Sequence, residues 1–204
     1  FEDEDRRNLQ DPNGENDGGN KQFYTQRLDL NHSFSDNLRL LVFGYAVQQE
    51  FTRFAKFGFQ PGGQSERFNT RDVYASGASL NGYSELSGIS VNWIAGLEYY
   101  SEQTERMRWA TEDRVRQGQT QDRLFTIQSV SAYAQGEFAI SPYFRPSIGL
   151  RYDTYFGSFE ANDPGQDAVD DQIDGLYNVS PKVGVRSTLY EGFDLRASVS
   201  NGFS

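Results

Sequence analysis

The 204-residue sequence predicts an all-β chain: an antiparallel, up-and-down transmembrane β-barrel sheet of about eight strands, forming an open arc of a larger barrel. Three observations predict it. Segments that alternate apolar and polar side chains recur along the chain, and a strand presents successive side chains to opposite faces. Short turns alternate with long polar connections. Finally, aromatic residues make up 15% of a chain that is only 36% hydrophobic and carries a net charge of −10, with mean hydropathy −0.71. An ordinary soluble core wants more apolar residues, and a disordered chain holds fewer rings. A sheet with one lipid face, aromatic girdles and a polar lumen wants this mixture.

The first pair of segments, residues 22–34 and 38–51, is joined by Ser35-Asp36-Asn37, residue types that turn a hairpin. Within it, Leu38 to Phe43 puts apolar groups on both faces, which fits either a bulge or a lumen side packed against something else. Residues 73–83 and 89–100 form the second pair, joined around Ser84 to Gly88, with Ile89, Val91, Trp93, Ala95, Leu97 and Tyr99 on one face. The third pair is 124–140 and 144–156, with Ser141-Pro142-Tyr143 between. There Phe144, Pro146, Ile148, Leu150 and Tyr152 share a parity, and Arg145, Ser147, Gly149, Arg151 and Asp153 share the other. The fourth, 177–189 and 193–203, turns at Tyr190-Glu191-Gly192; Val179, Pro181, Val183, Val185 and Leu189 oppose Lys182, Arg186 and their neighbours, and Leu195, Ala197 and Val199 oppose Arg196. Each segment reaches the 9–11 residues a tilted spanning strand requires.

Residues 52–72, 101–123 and 157–176, with the opening 1–21, read as long polar loops, which count against a compact soluble domain. The first and last pairs each close with a short turn, so both ends of the chain lie on the long-loop side. The final Asn201-Gly202-Phe203-Ser204 lacks the terminal aromatic common in complete barrels. Residues 1–204 therefore read as a piece from inside a larger barrel, whose edge strands need pairing partners.

Several chemistries find no support. Cysteine is absent, so no disulfide or thiolate metal site exists. The longest apolar run, residues 40–47, is too short for a spanning helix. The opening FEDEDRRNLQ does not resemble a secretion signal, which for an exported protein would lie upstream. No phosphate-cradling glycine loop or nucleophile–base pair appears, and a pI near 4.6 gives no support for nucleic-acid binding. No catalytic, cofactor or metal site is expected. His32 reads as a lumen or interface side chain. Asp163, Asp167, Asp170, Asp171 and Asp174 read as a solvated outer loop, because neither their spacing nor Asp11-Pro12-Asn13-Gly14 matches a calcium loop. Arg106, Arg108, Trp109 and Arg114, with Arg116 and Arg123, crowd one connection and could grip an anionic ligand. The interleaved Glu102, Glu105, Glu112, Asp113 and Asp122 favour a self-neutralised surface loop instead. Arg145, Arg151, Lys182, Arg186 and Arg196 sit on the water-facing parity, where a polar lumen tolerates charge.

The run Ala132-Tyr133-Ala134-Gln135-Gly136-Glu137-Phe138, then Pro146 to Asp153, Ser180 to Val185 and Leu195 to Phe203, taken in that order at hairpin spacing, resembles the barrel domain of TonB-dependent outer-membrane receptors. The resemblance is specific over residues 131–204; earlier only the rhythm of strands and loops matches. It implies a plugged barrel of 22 strands in the outer membrane of a Gram-negative bacterium. Such a receptor captures a scarce nutrient, often an iron–siderophore complex, at its extracellular loops and imports it when TonB pulls on the plug. Neither plug nor TonB-engaging box is recognisable in residues 1–204. The resemblance implies that Arg145, Arg151, Lys182, Arg186 and Arg196 contact the plug; Arg106, Arg108, Trp109 and Arg114, from the crowding of charge in one connection, stand as the extracellular ligand-contact candidates. A self-contained eight-stranded barrel serving as adhesin or anchor, and a soluble β-sandwich or sugar-binding module, are the alternatives.

Overall fold

A computed structural model of the protein describes residues 16–56, 63–190 and 192–201. Among them there is no helix; eight strands follow one another as β1 (Gly18–Ser35), β2 (Leu38–Lys56), β3 (Gln64–Leu86), β4 (Ile89–Glu112), β5 (Val115–Ala139), β6 (Arg145–Ala161), β7 (Val169–Tyr190) and β8 (Phe193–Ser200). They form one sheet in sequence order, each strand hydrogen-bonded to the next and antiparallel to it. The sheet is open. β1 and β8 are its edges, so its unpaired backbone needs neighbours wherever it meets hydrocarbon.

Cross-strand register shows which parity faces what. Leu40, Leu80, Ala95, Ala134, Leu150 and Pro181 are successive partners across β2 to β7, and Val42, Ala78, Leu97, Ala132, Tyr152 and Val179 make the next row. These rows meet no second layer: Ile148, Leu150 and Val183 are 58%, 53% and 57% exposed. A soluble sandwich would bury such side chains at about 25 cal/mol per Å²; here they form an outward apolar belt. Trp93 and Phe138 stand toward one rim of that belt and Tyr74, Tyr99 and Tyr177 toward the other, as interfacial rings do. A shallow apolar hollow of about 1120 Å³ over Ala78, Ala95, Ala132 and Ala134 lies on this outer face. His32 shares the outer parity near the turn, its ring 4.7 Å from that of Phe34, which agrees with an interfacial side chain.

The opposite parity is polar and internally bonded. Arg151 bridges Glu98 (3.0 Å) and Asp153 (2.8 Å), and the Ser131 hydroxyl donates to Asp153 at 2.6 Å. The apolar groups of Leu38 to Phe43 resolve as packing on the inner side and not as a bulge of their own: the segment pairs with β3 in unbroken register, and the Phe43 ring lies over Gly77, where a Cβ would come within 2.6 Å of it; the nearby register shift belongs to β1, between Ser33 and Ser35. Gly96 likewise makes room for the Tyr133 ring, which in turn lies 5.7 Å beneath the Arg151 guanidinium.

The long connections differ from expectation. β3, β4 and β5 run 23, 24 and 25 residues, about twice what a bilayer needs. Residues 101–123 are thus not a loop but a hairpin that rises past the belt and turns at Asp113-Arg114, both at positive φ (48° and 66°). Such φ values define the tight turn whose twist suits two strands. Residues 52–72 are also mostly strand, with 57–62 outside the described residues, and 157–176 is strand except for 162–168. Asp163 is not solvated: it is 5% exposed, accepts from Arg123 at 2.6 Å and from the Asp122 amide at 2.9 Å, and so clips the β6–β7 connection to β5. Asp167, Asp170 and Asp171 are exposed as expected. The opening 1–15, including Asp11 to Gly14, lies outside the described residues, as do Glu191, Gly202 and Phe203.

Candidate functional site

Above the belt the strand alternation continues, and it sorts the charged residues onto two sides. On the inner side Gln49 of β2 faces Arg71 of β3 and Thr104 of β4; one row further from the membrane are Asn69 and Arg106, and then Arg67, Arg108 and Gln121. These side chains line a polar recess of about 530 Å³, within the size range of small-molecule sites. Long paired strands hold it, so its residues stand on a rigid frame rather than on loops.

Glu102 organises the membrane-proximal wall. Arg71 grips its carboxylate with Nε at 2.8 Å and Nη2 at 2.7 Å, Thr104 donates at 3.1 Å, and the Tyr100 hydroxyl donates as well. The Arg71 fork outweighs burial and draws the Glu102 carboxyl down to about 2. Arg106 lies 4.9 Å above the Phe125 ring. Arg108 carries a buried Nε with no hydrogen-bond partner. Among the described residues Glu102 is held by Arg71, and Arg123 of the same hairpin is held by Asp163.

The outer side of the same hairpin is differently built. Register shifts between Arg108 and Trp109 and between Ala110 and Thr111 carry Arg116 over the Trp109 ring at 3.7 Å and into a two-point ion pair with Glu66 at 2.7 Å. Phe68 packs edge-on against Trp109. Arg114 sits at the turn, where it donates to the main-chain oxygens of Asn16 (2.7 Å) and Asp17 (3.0 Å) and lies over Phe54. Of the ligand-contact candidates, the structure thus brings Arg106 and Arg108 together in the recess and places Trp109 and Arg114 in the hairpin's outer scaffold. Arg67, Asn69, Arg71 and Gln121 join the recess without having been singled out. Their signal was an alternation in 64–72 and 117–123 that carries no contrast in hydropathy.

The lumen candidates all fall on the inner parity. Arg151 is engaged with Glu98 and Asp153, and Lys182 reaches Gln135 at 3.4 Å. Arg145, Arg186 and Arg196 are successive cross-strand partners near the short-turn end; Arg186 pairs with Asp194 at 2.5 Å, and the Nε of Arg145 is buried without a hydrogen-bond partner. Among the described residues no group of histidines and carboxylates is arranged to hold a metal ion.

The family model described as "TonB dependent receptor-like, beta-barrel" matches residues 2–204. Among solved structures the chain is similar to the unliganded ferric citrate transporter FecA (TM-score 0.74, 14% identity, covering 90% of this chain and 28% of that one). It is similar also to the siderophore receptor PiuA from Acinetobacter baumannii (0.73, 13%, 89% and 32%). A third is the alcaligin outer-membrane receptor FauA from Bordetella pertussis (0.67, 16%, 89% and 29%). The chain spans about a third of the length of these structures. No curated protein matches it.

Proposed function

This chain belongs to the TonB-dependent receptor β-barrel family, and from that premise we propose that it is part of an outer-membrane receptor of a Gram-negative bacterium. The receptor captures a scarce nutrient, such as an iron–siderophore complex, at its extracellular hairpins and imports it with energy supplied through TonB. It binds and transports; it performs no catalysis. The observation that carries the reading is the division of each strand: lipid-facing apolar residues on one parity, and on the other a bonded polar wall that leads up to an open recess. Ligand therefore meets a rigid basin above the membrane and a hydrophilic surface below it. Arg145, Arg151, Lys182, Arg186 and Arg196 supply that surface and face the plug, whose displacement opens the way. A self-contained eight-stranded adhesin would pair β1 with β8, and the open sheet speaks against it.

The test is growth. A strain deleted for the gene, supplied with single defined iron sources under iron limitation, loses growth on one of them and regains it when the intact receptor is restored, in a TonB-dependent manner. Unaltered growth on every iron or other scarce-nutrient source would overturn the transport reading.

A further inference from the structure

Asn16 and Asp17, at the entry to β1, reach beyond the neighbouring strand. Within the sheet β1 is hydrogen-bonded to β2, yet its entry also meets the start of β3 and the tip of the β4–β5 hairpin, 97 residues further along the chain. Gln64 is the hub. Its Nε2 donates to the Asn16 main-chain oxygen at 3.1 Å and to Asp17 Oδ1 at 3.0 Å, and its Oε1 accepts from the Thr111 hydroxyl at 3.2 Å and the Arg114 amide at 2.9 Å. All four hydrogen-bonding positions of the side chain are used, in a residue 3% exposed, where water does not replace a lost partner. Asp17 offers its other oxygen to the Lys56 amide at 3.0 Å and so ties in the end of β2. A second set of contacts closes over the hub. Asn16 Nδ2 donates to Asp113 at 3.1 Å, and the Arg114 guanidinium holds the main-chain oxygens of Asn16 and Asp17 while lying 5.4 Å from the centre of the Phe54 ring. The local sequence permits this path: Asn16 takes φ 69° and Gly18 φ 149°, conformations that Asn and Gly adopt most readily, and a Cβ on Gly18 would come within 3.0 Å of Arg114 Nη2. The ends of β1, β2, β3 and the β4–β5 hairpin thus share one set of side-chain hydrogen bonds. Breaking any one leaves buried partners unsatisfied, so the set opens cooperatively.

We infer that Asn16 and Asp17 form a strap that couples the connection leading into β1 to the β4–β5 hairpin, so that the two open and close as one unit. That hairpin carries Arg106 and Arg108, which line the recess below its tip. While the strap is closed, the recess wall stands upright; a displacement of the connection into β1 reaches the wall through Gln64 and Arg114, in addition to whatever passes along the β ladder. The coupling is a property of the hairpins themselves. It goes beyond the transport reading and holds whatever the recess binds.

The experiment is hydrogen exchange on the purified intact receptor, without ligand, read at two amides: Lys56, whose acceptor is Asp17, and Arg114, whose acceptor is Gln64. In the parent protein both are protected to the same degree, because one opening exposes both. Asp17→Ala removes the acceptor of Lys56 alone, and Gln64→Leu that of Arg114 alone. Each variant nevertheless speeds exchange at both amides, about tenfold or more. Arg114→Ala, which removes the exposed contacts to Asn16 and Asp17 and leaves the buried hub in place, also speeds exchange at Lys56. The Asn162 amide, bonded to the Asp122 main-chain oxygen on another connection, keeps its protection in every variant and reports that the barrel is assembled. An effect confined to the amide whose own acceptor was removed, or parent protection that differs widely between Lys56 and Arg114, overturns the coupling. Loss of protection at Asn162 as well overturns it too, since the contacts would then hold up the whole sheet and not a separate unit. None of these results depends on uptake, so failure of the growth test leaves the strap standing and failure of the strap leaves transport standing.

Discussion

Substituting arginine along the outer parity of β6 tests the lipid belt by depth. Ile148, Leu150, Tyr152 and Phe156 all point outward and are 58%, 53%, 44% and 36% exposed, so burial within the protein hardly separates them. Depth does. From Leu150 to Phe156 the strand advances about 20 Å, which at a tilt of about 40° is roughly 15 Å of depth, enough to move from the middle of an apolar band about 25 Å tall to its edge. Arginine in place of Leu150 therefore costs ~2–4 kcal/mol, and in place of Phe156 about 0–1 kcal/mol. On a surface in water the same changes stay within about ±0.5 kcal/mol of one another. The assay is denaturant-dependent unfolding of the intact receptor in phospholipid vesicles, comparing each variant with the parent. Costs that follow residual exposure, or a Leu150→Arg no more damaging than Phe156→Arg, refute the belt and with it the membrane orientation.

Further changes probe the inner wall. Arg151→Leu strips Glu98 and the nearly buried Asp153 of their cation and destabilises the barrel by roughly 2–4 kcal/mol, read by the same unfolding assay; Glu98→Gln costs less, because Arg151 keeps Asp153. Gly96→Ala drives a Cβ within 2.6 Å of the Tyr133 ring and 2.9 Å of the Ala78 carbonyl oxygen and costs about 1–3 kcal/mol; adding Tyr133→Ala recovers only part of it, since the backbone contact remains. The Glu102 carboxyl is lowered from 4.5 to about 2 by Arg71, so the pair's stabilisation is fully present above about pH 4.5 and disappears as pH falls through 2. Denaturant titrations of wild type and Glu102→Gln should converge across that window, and a gap that is constant with pH disproves the assignment. Arg123→Ala frees Asp163 and speeds hydrogen exchange at the Asp122 and Asn162 amides, which depend on that clip.

What the sequence disclosed depended on where oil and water differ. Ile148, Leu150 and Val183 alternate with Gly149, Arg151 and Lys182 because one face meets hydrocarbon, so parity and strand pairing within the belt were readable. Past the belt both faces meet water. Gln64, Glu66 and Phe68 alternate with Ser65, Arg67 and Asn69 just as regularly, but without hydropathy contrast, and the segment reads as loop. The turn at Asp113-Arg114 lacks the Asn-Gly or Asp-Gly signature that usually announces positive φ at both positions, so the hairpin had no visible tip. Asp163 read as solvated because its partners, Asp122 and Arg123, lie 41 and 40 residues earlier in the chain. Trp109 and Arg114 stood out by composition, yet parity and two register shifts gave them to the outer scaffold.

One geometric rule therefore governs both the apolar belt and the polar recess. A strand that shows Leu97 to lipid shows Glu98 to the lumen, and with no register shift between them the same alternation carries Arg106 and Arg108 inward and Met107 outward. The register shifts come only at Arg108/Trp109 and beyond, where the hairpin has cleared the recess and must twist to close. Inserting one residue after Tyr100 would set these two demands against each other: the belt below keeps its register, and every side chain above changes sides. Arg106 and Arg108 would then face outward and Met107 inward, while Leu97 and Tyr99 stay in lipid. The receptor should still assemble in the membrane yet lose ligand capture, measured as folded protein in the outer membrane against binding to whole cells. Loss of assembly instead would mean that the tall hairpins contribute to the barrel's stability and not only to the shape of the basin above it.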